Sequence, residues 1–83
     1  DSSNSNYFIN MASTLIENEE YKKAIENLNY AIQIDDNGKL GYAYLYRGIA
    51  YRELKYLSRA CSDFQKAISM GVEGSEQYMK FCL

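Results

Sequence analysis

Side chains that could carry out catalysis are sparse in this 83-residue chain. There is no histidine, which removes the commonest general base and the commonest metal ligand. No glycine-rich phosphate loop, nucleophile elbow or CxxC pair is present. Carboxylates adjoin one another only near expected helix ends and loops, and too few oxygen ligands fall together for a calcium loop: Glu17 with Glu19 and Glu20, Asp35 with Asp36, and Glu73 with Glu76. The sequence therefore predicts a protein that is not an enzyme and that holds no cofactor and no metal.

The two cysteines, Cys61 and Cys82, are too few for a disulfide framework and are not spaced as a metal-binding pair. Each falls where we expect a small buried side chain, so we interpret both as free thiols that pack as hydrophobic residues. The lack of a disulfide framework favours the cytosol. The polar start without Met indicates a processed product or a piece of a longer protein, and a processed N-terminus would also fit an exported one. The compartment stays open at this point.

Charge and hydropathy argue against two classes of partner. The net charge is −2, and the densest basic pair, Lys22 and Lys23, is flanked by glutamates. Binding to a phosphate backbone needs several clustered cations, so we expect no nucleic acid partner. No apolar run approaches the length of a membrane span, so we expect none.

Four segments have the apolar spacing of helices that bury one face: residues 6–18, 21–34, 40–54 and 57–70. Ser5 or Asn6 can cap the first segment, and Asn37 or Gly38 suits the left-handed position after the second. The third segment alternates tyrosines with small or aliphatic residues, as strands do, but its apolar pattern is too long for an ordinary strand. Ser75 can cap a fifth, short helix. The fold class is therefore all-α.

The chain repeats itself, since residues 8–32 recur as residues 44–68, thirty-six positions later. The shared order is aromatic, small, large, then small, large, small. Gly48 lies inside a predicted helix at a cost of about 1 kcal/mol relative to alanine, so we expect two helices to approach closely there. Small residues register the two predicted hairpins at the following positions: Ala12, Ala24, Ala31, Gly48, Ala60 and Ala67.

The second copy, Tyr44-x-x-Arg47-Gly48-x-x-Tyr51 followed by Ala60-x-x-x-Phe64-x-x-Ala67, resembles the tetratricopeptide repeat (TPR) family. Arg47 stands where that family usually has leucine, and the offset of 36 exceeds the family period of 34. The resemblance implies a right-handed α-solenoid of helical hairpins. It divides the chain into a frayed N-terminus (1–5) and a single domain (6–83), made of unit one (6–36), unit two (41–72) and a capping or partial third unit (75–83).

The resemblance also implies a function, because the first helix of each hairpin in this family lines a concave groove that binds a protein or peptide. Carried over by position, the groove residues here are Ile9, Asn10, Ser13, Ile16, Tyr42, Leu45, Tyr46, Ile49, Arg52 and Glu53, with Asn6, Glu17, Glu76 and Met79 at its margins. The tyrosine-rich set suits a helix or an extended peptide. Tyr42 and Tyr46 would equally serve as half-buried packing residues.

An alternative from another class is a structural module that associates with itself. Two units are fewer than stacked repeats normally need. The C-terminal segment would then offer an exposed edge made of Tyr78, Phe81, Cys82 and Leu83, through which the chain forms a homo-oligomer or stacks on the rest of a longer repeat protein.

Overall fold

Four α-helices and a short 3₁₀ helix make up the architecture. The computed structural model describes residues 4–34 and 40–82, with the backbone alone at Phe81. The helices are α1 (Ser5–Glu17), α2 (Tyr21–Ile34), α3 (Gly41–Glu53) and α4 (Leu57–Ser69), and the 3₁₀ helix η1 spans Ser75–Phe81. The described residues contain no strand, and each helix packs on the next along the chain. The all-α prediction and the bounds of the four helices are confirmed to within one residue.

Two of the expected N-terminal caps are wrong. Asn4 caps α1, because its side-chain oxygen accepts a hydrogen bond from the N–H of Asn6 at 2.7 Å, whereas Ser5 is already helical and is buried. Gly74, at φ +80°, precedes η1, and the hydroxyl of Ser75 instead donates to the carbonyl of Val72 at 2.6 Å. The expected C-terminal residues Asn37 and Gly38 lie outside the described residues, as do residues 1–3 and Leu83.

Three helices end in the same way, with one residue in the left-handed region. These residues are Glu19 after α1 (φ 63°), Lys55 after α3 (φ 71°) and Gly71 after α4 (φ 82°). At each end two backbone N–H groups donate to carbonyls of the last helical turn, which satisfies groups that a helix end otherwise leaves unpaired. Glu19 and Lys55 are thirty-six positions apart, so the repeat extends from the helices into their connecting turns.

The described residues form two hydrophobic core clusters, one made by α1, α2 and the start of α3 and the other by α3, α4 and Val72. The first includes Leu28 and the second is centred on Phe64, both with almost no exposure. All six small residues that were expected to register the hairpins are buried. Burial of small side chains lets the helix axes approach, because no side-chain volume separates the backbones.

Gly48 lies where α3 packs against Ala60 and Phe64 of α4. A Cβ atom at this position would stand 2.6 Å from Cε1 of Phe64 and 3.2 Å from the carbonyl oxygen of Ala60. These separations are shorter than ordinary van der Waals contact, so the interface has no room for a side chain. In unit one the equivalent pair is Ala12 and Leu28. The larger aromatic side chain of unit two is thus matched by the smaller residue opposite, and the expected close approach is confirmed.

The expectation of two free thiols is wrong. Cys61 of α4 and Cys82, which follows η1, form a disulfide with an S–S distance of 2.04 Å, and the described part of the chain holds no free cysteine. The two cysteines meet because η1 packs back on α4, a contact that the spacing of the cysteines in the sequence does not indicate. Stacking of the Tyr78 and Phe64 rings, with centroids 5.1 Å apart, fastens the same two elements. The argument for the cytosol from absent disulfides falls with this finding.

Candidate functional site

A cleft between α1 and α3 brings together residues from both repeat units. It has a volume of about 280 Å³ and is lined by Asn6, Ile9, Asn10, Tyr42 and Tyr46. We call it the α1–α3 cleft. All five belong to the groove or its margins as predicted from the sequence, and they meet because α1 and α3 are in contact.

The lining of the α1–α3 cleft is neutral and mixed in polarity. Ile9 forms its apolar floor, with only 6% of its surface exposed, while Tyr42 stands 53% exposed at the rim. The rings of Tyr42 and Tyr46 are 6.0 Å apart and tilted by 44°. Asn6 and Asn10 are exposed and supply amide donors and acceptors. None of the described residues that line the cleft is charged, so the chemistry that they offer is hydrogen bonding beside aromatic contact surface.

The other predicted groove residues do not line this cleft. Leu45 is buried in the second core cluster, and Ile16 packs half-buried against the first. Ser13 and Ile49 are half-buried. Arg52 and Glu53 line a separate cleft of about 520 Å³ with Lys55 and Leu57, and the Arg52 guanidinium also lies 5.5 Å from the centre of the Tyr78 ring.

Helix α3 presents different residues on opposite sides. Tyr42 and Tyr46 recur at a four-residue interval and form the side that lines the α1–α3 cleft. Tyr44, Arg47 and Tyr51 recur in the same way about half a turn round the helix. Helix α3 therefore carries tyrosines on two opposite sides.

Sequence reasoning missed the polar network centred on Arg47. Its guanidinium donates two hydrogen bonds to the Asp63 carboxylate, at 2.8 and 2.9 Å, and one to Oδ1 of Asn29 at 2.9 Å. Hydrogen bonding to Asp63 raises the pKa of Arg47 above its ordinary value. The Asp63 side chain is only 7% exposed, and this one arginine ties α3 to both α2 and α4. The sequence feature that could have indicated this network is Arg47 itself, because it places a charged side chain where the repeat pattern usually has leucine.

Two residues of the predicted self-association edge lie against α4. Tyr78 and Cys82 are half-buried there through the ring stack and the disulfide. The side chain of Phe81 and the whole of Leu83 lie outside the described residues.

Sites of other kinds were looked for in the described part of the chain. Within residues 4–34 and 40–82, no three metal-ligating side chains lie close enough to share an ion. None of the described helices combines the length and the apolar character needed to cross a membrane.

Comparison with known proteins adds no relative. Neither protein-family models, nor curated proteins, nor solved structures give a match to this chain.

Proposed function

We propose that this chain is a protein-interaction module, of the tetratricopeptide-like class, that binds an uncharged peptide segment of a partner in the α1–α3 cleft. The observation that carries the proposal is the joining of Asn6, Ile9 and Asn10 from one unit with Tyr42 and Tyr46 from the next in one concave surface. The proposed role is binding rather than catalysis.

The chemistry of the lining defines the segment that fits. Asparagine side chains offer both a donor and an acceptor, which matches the backbone N–H and C=O of an extended peptide. Tyrosine supplies large contact area at low cost in side-chain entropy. Because the described residues of the cleft lining are all uncharged, a charged side chain would lose hydration beside them without gaining an ionic partner. We therefore expect a peptide that places a small or apolar side chain over Ile9.

Peptides that bind the purified chain are selected from a displayed library. The affinity of synthetic copies of the selected peptides is then measured by calorimetry. Tyr42→Ala should weaken binding about tenfold or more, as loss of an aromatic anchor does. The matched control is Tyr30→Ala, because Tyr30 is 57% exposed on α2, away from the cleft. Equal affinity for Tyr42→Ala and the wild-type chain would rule out the cleft as the site.

Light scattering over a range of protein concentration measures the molar mass of the chain in solution and so distinguishes the interaction module from the self-association alternative. A monomer that binds the selected peptides supports the interaction module. A dimer that dissociates on Phe81→Glu and is unaffected by Tyr46→Ala would replace it with assembly through the C-terminal edge.

A further inference from the structure

A continuous row of cations and tyrosine rings runs along the side of α3 that faces away from the α1–α3 cleft. We call it the cation–tyrosine row; in spatial order it comprises Lys66, Tyr44, Arg47, Tyr51, Arg59 and Tyr56. Each cation lies 5.3 to 5.8 Å from the centre of a neighbouring ring. Tyr44 to Tyr51 alone spans roughly 10 Å of helix.

Among the described residues, one of the three cations in the row has a carboxylate partner. Arg47 forms an ion pair with Asp63, in the network described above. Arg59 and Lys66 are exposed, and within the described chain no carboxylate lies within 4.0 Å of either of them. Lys55, exposed at the end of the row, has no such partner either. This surface therefore carries unpaired positive charge on a chain whose net charge is −2.

The exposed end of the row adds apolar surface to this charge. Tyr56 and Leu57 are 50% and 48% exposed, and with Lys55 and Arg59 they line a cleft of about 480 Å³. An exposed tyrosine and leucine beside two cations form a mixed contact surface, which suits a partner with acidic and apolar groups near each other.

We propose that the cation–tyrosine row binds an acidic segment of a partner protein, with carboxylates on Arg59 and Lys66 and an apolar side chain over Tyr56 and Leu57. Stacking on Tyr51 and Tyr56 holds the Arg59 guanidinium beside the rings and leaves its N–H edge available to a carboxylate. Complementary charge thus selects the occupant. The site is independent of the α1–α3 cleft, so either can fail without the other.

Single-stranded nucleic acid is the competing anionic partner, and the geometry disfavours it. Bases bind such surfaces by stacking on free aromatic faces. Here the rings of Tyr44 and Tyr51 are already covered by cations. The unpaired cations here are Arg59 and Lys66 of the row and Lys55 at its end. Three cations are few for binding a phosphate backbone, because the affinity rises with every phosphate contacted.

The test is fluorescence anisotropy with a labelled peptide that alternates glutamate and leucine, at low and at physiological ionic strength. We expect binding that weakens with salt and that falls about tenfold in the Arg59→Gln/Lys66→Gln variant, the loss of about one charge-assisted hydrogen bond. The matched control is Lys80→Gln, an exposed lysine of η1 outside the row, which should change affinity less than about twofold.

Four results would overturn the proposal. They are no binding at low ionic strength, equal binding of a glutamine–leucine peptide, equal weakening in Lys80→Gln, and tighter binding of a thymidine oligonucleotide that depends on Arg59 and Lys66. Because both exchanged side chains are exposed, circular dichroism should show the variant folded as the wild type is.

Discussion

Replacing Gly48 by alanine sets two opposed effects against each other. Alanine is favoured in a helix interior by about 1 kcal/mol. The new methyl group would stand 2.6 and 2.7 Å from two ring carbons of Phe64, which is 1% exposed and cannot swing into solvent. Overpacking of this kind costs about 1–3 kcal/mol, and contact with both the ring and a backbone carbonyl places it in the upper part of that range. We expect net destabilisation of about 1–2 kcal/mol, or about 5–10 °C in Tm.

The repeat itself supplies a matched rescue. Unit one has Ala12 and Leu28 where unit two has Gly48 and Phe64. In a Phe64→Leu background, which alone should cost roughly 1–2 kcal/mol, the ring atoms that meet the new methyl are gone. Gly48→Ala should then be neutral or stabilising by up to about 1 kcal/mol. The double-mutant cycle should therefore give a favourable coupling free energy of at least about 1 kcal/mol.

Thermal and urea unfolding of the four chains, followed by circular dichroism, measures this coupling. Ser62→Ala, at an exposed position of α4, controls for helix propensity alone. Gly48→Leu should lower Tm far more than Glu53→Leu, because Glu53 is exposed. Additivity of the two changes to within about 0.5 kcal/mol would refute the reasoning, as would a rise in Tm for Gly48→Ala in both backgrounds.

Four further perturbations have expected outcomes. Asp63→Ala should lower the free energy of unfolding in urea by roughly 2–4 kcal/mol, because Arg47 stays half-buried without its carboxylate partner. The double variant Arg47→Met/Asp63→Leu should have a free energy of unfolding near that of the wild type. A loss in Asp63→Ala no larger than the loss in the double variant would contradict this. Since the pKa of Arg47 is raised on folding, the stability that this guanidinium contributes is fully present below the ordinary pKa of arginine and is lost only as the pH rises above it, so stability should show no loss from this group on alkaline titration to about pH 10. Removing the Cys61–Cys82 bond, which closes a segment with a separation of 21 residues, should cost about 3 kcal/mol, measured as a lower Tm in dithiothreitol and in Cys61→Ser/Cys82→Ser; alkylation of unreduced protein should leave its mass unchanged. Lys55→Gly should raise stability by up to about 1 kcal/mol, because glycine adopts the left-handed conformation without strain; a lower Tm would argue that the turn is not left-handed.

The helices were predictable from sequence because their signals are local or repeated. Apolar spacing locates the helix bounds, and comparison of two copies shows that position 48 requires a small residue. Pairings between distant residues carry no such signal. Cys61 and Cys82 approach only because η1 turns back on α4, and Arg47 reaches Asp63 only because α3 and α4 pack side by side.

The groove prediction shows the same limit. Leu45 and Tyr46 are neighbours in sequence and were assigned to the same surface. The rotation of α3 turns Leu45 into the second core cluster and leaves Tyr46 in the α1–α3 cleft. Sequence periodicity identifies a helix and its faces, but the packing partners decide which face is buried.

The bridging position of Arg47 has a consequence for how the chain loses its structure. Stacked repeats behave as a row of units whose cooperativity depends on the coupling between neighbours. The Arg47 guanidinium is part of that coupling, because it bonds both Asn29 of the first hairpin and Asp63 of the second. Opening of either hairpin would therefore break hydrogen bonds of this shared guanidinium. Amide hydrogen exchange should accordingly show α2 and α4 opening with a common free energy, and the two openings should separate once position 47 carries a methionine.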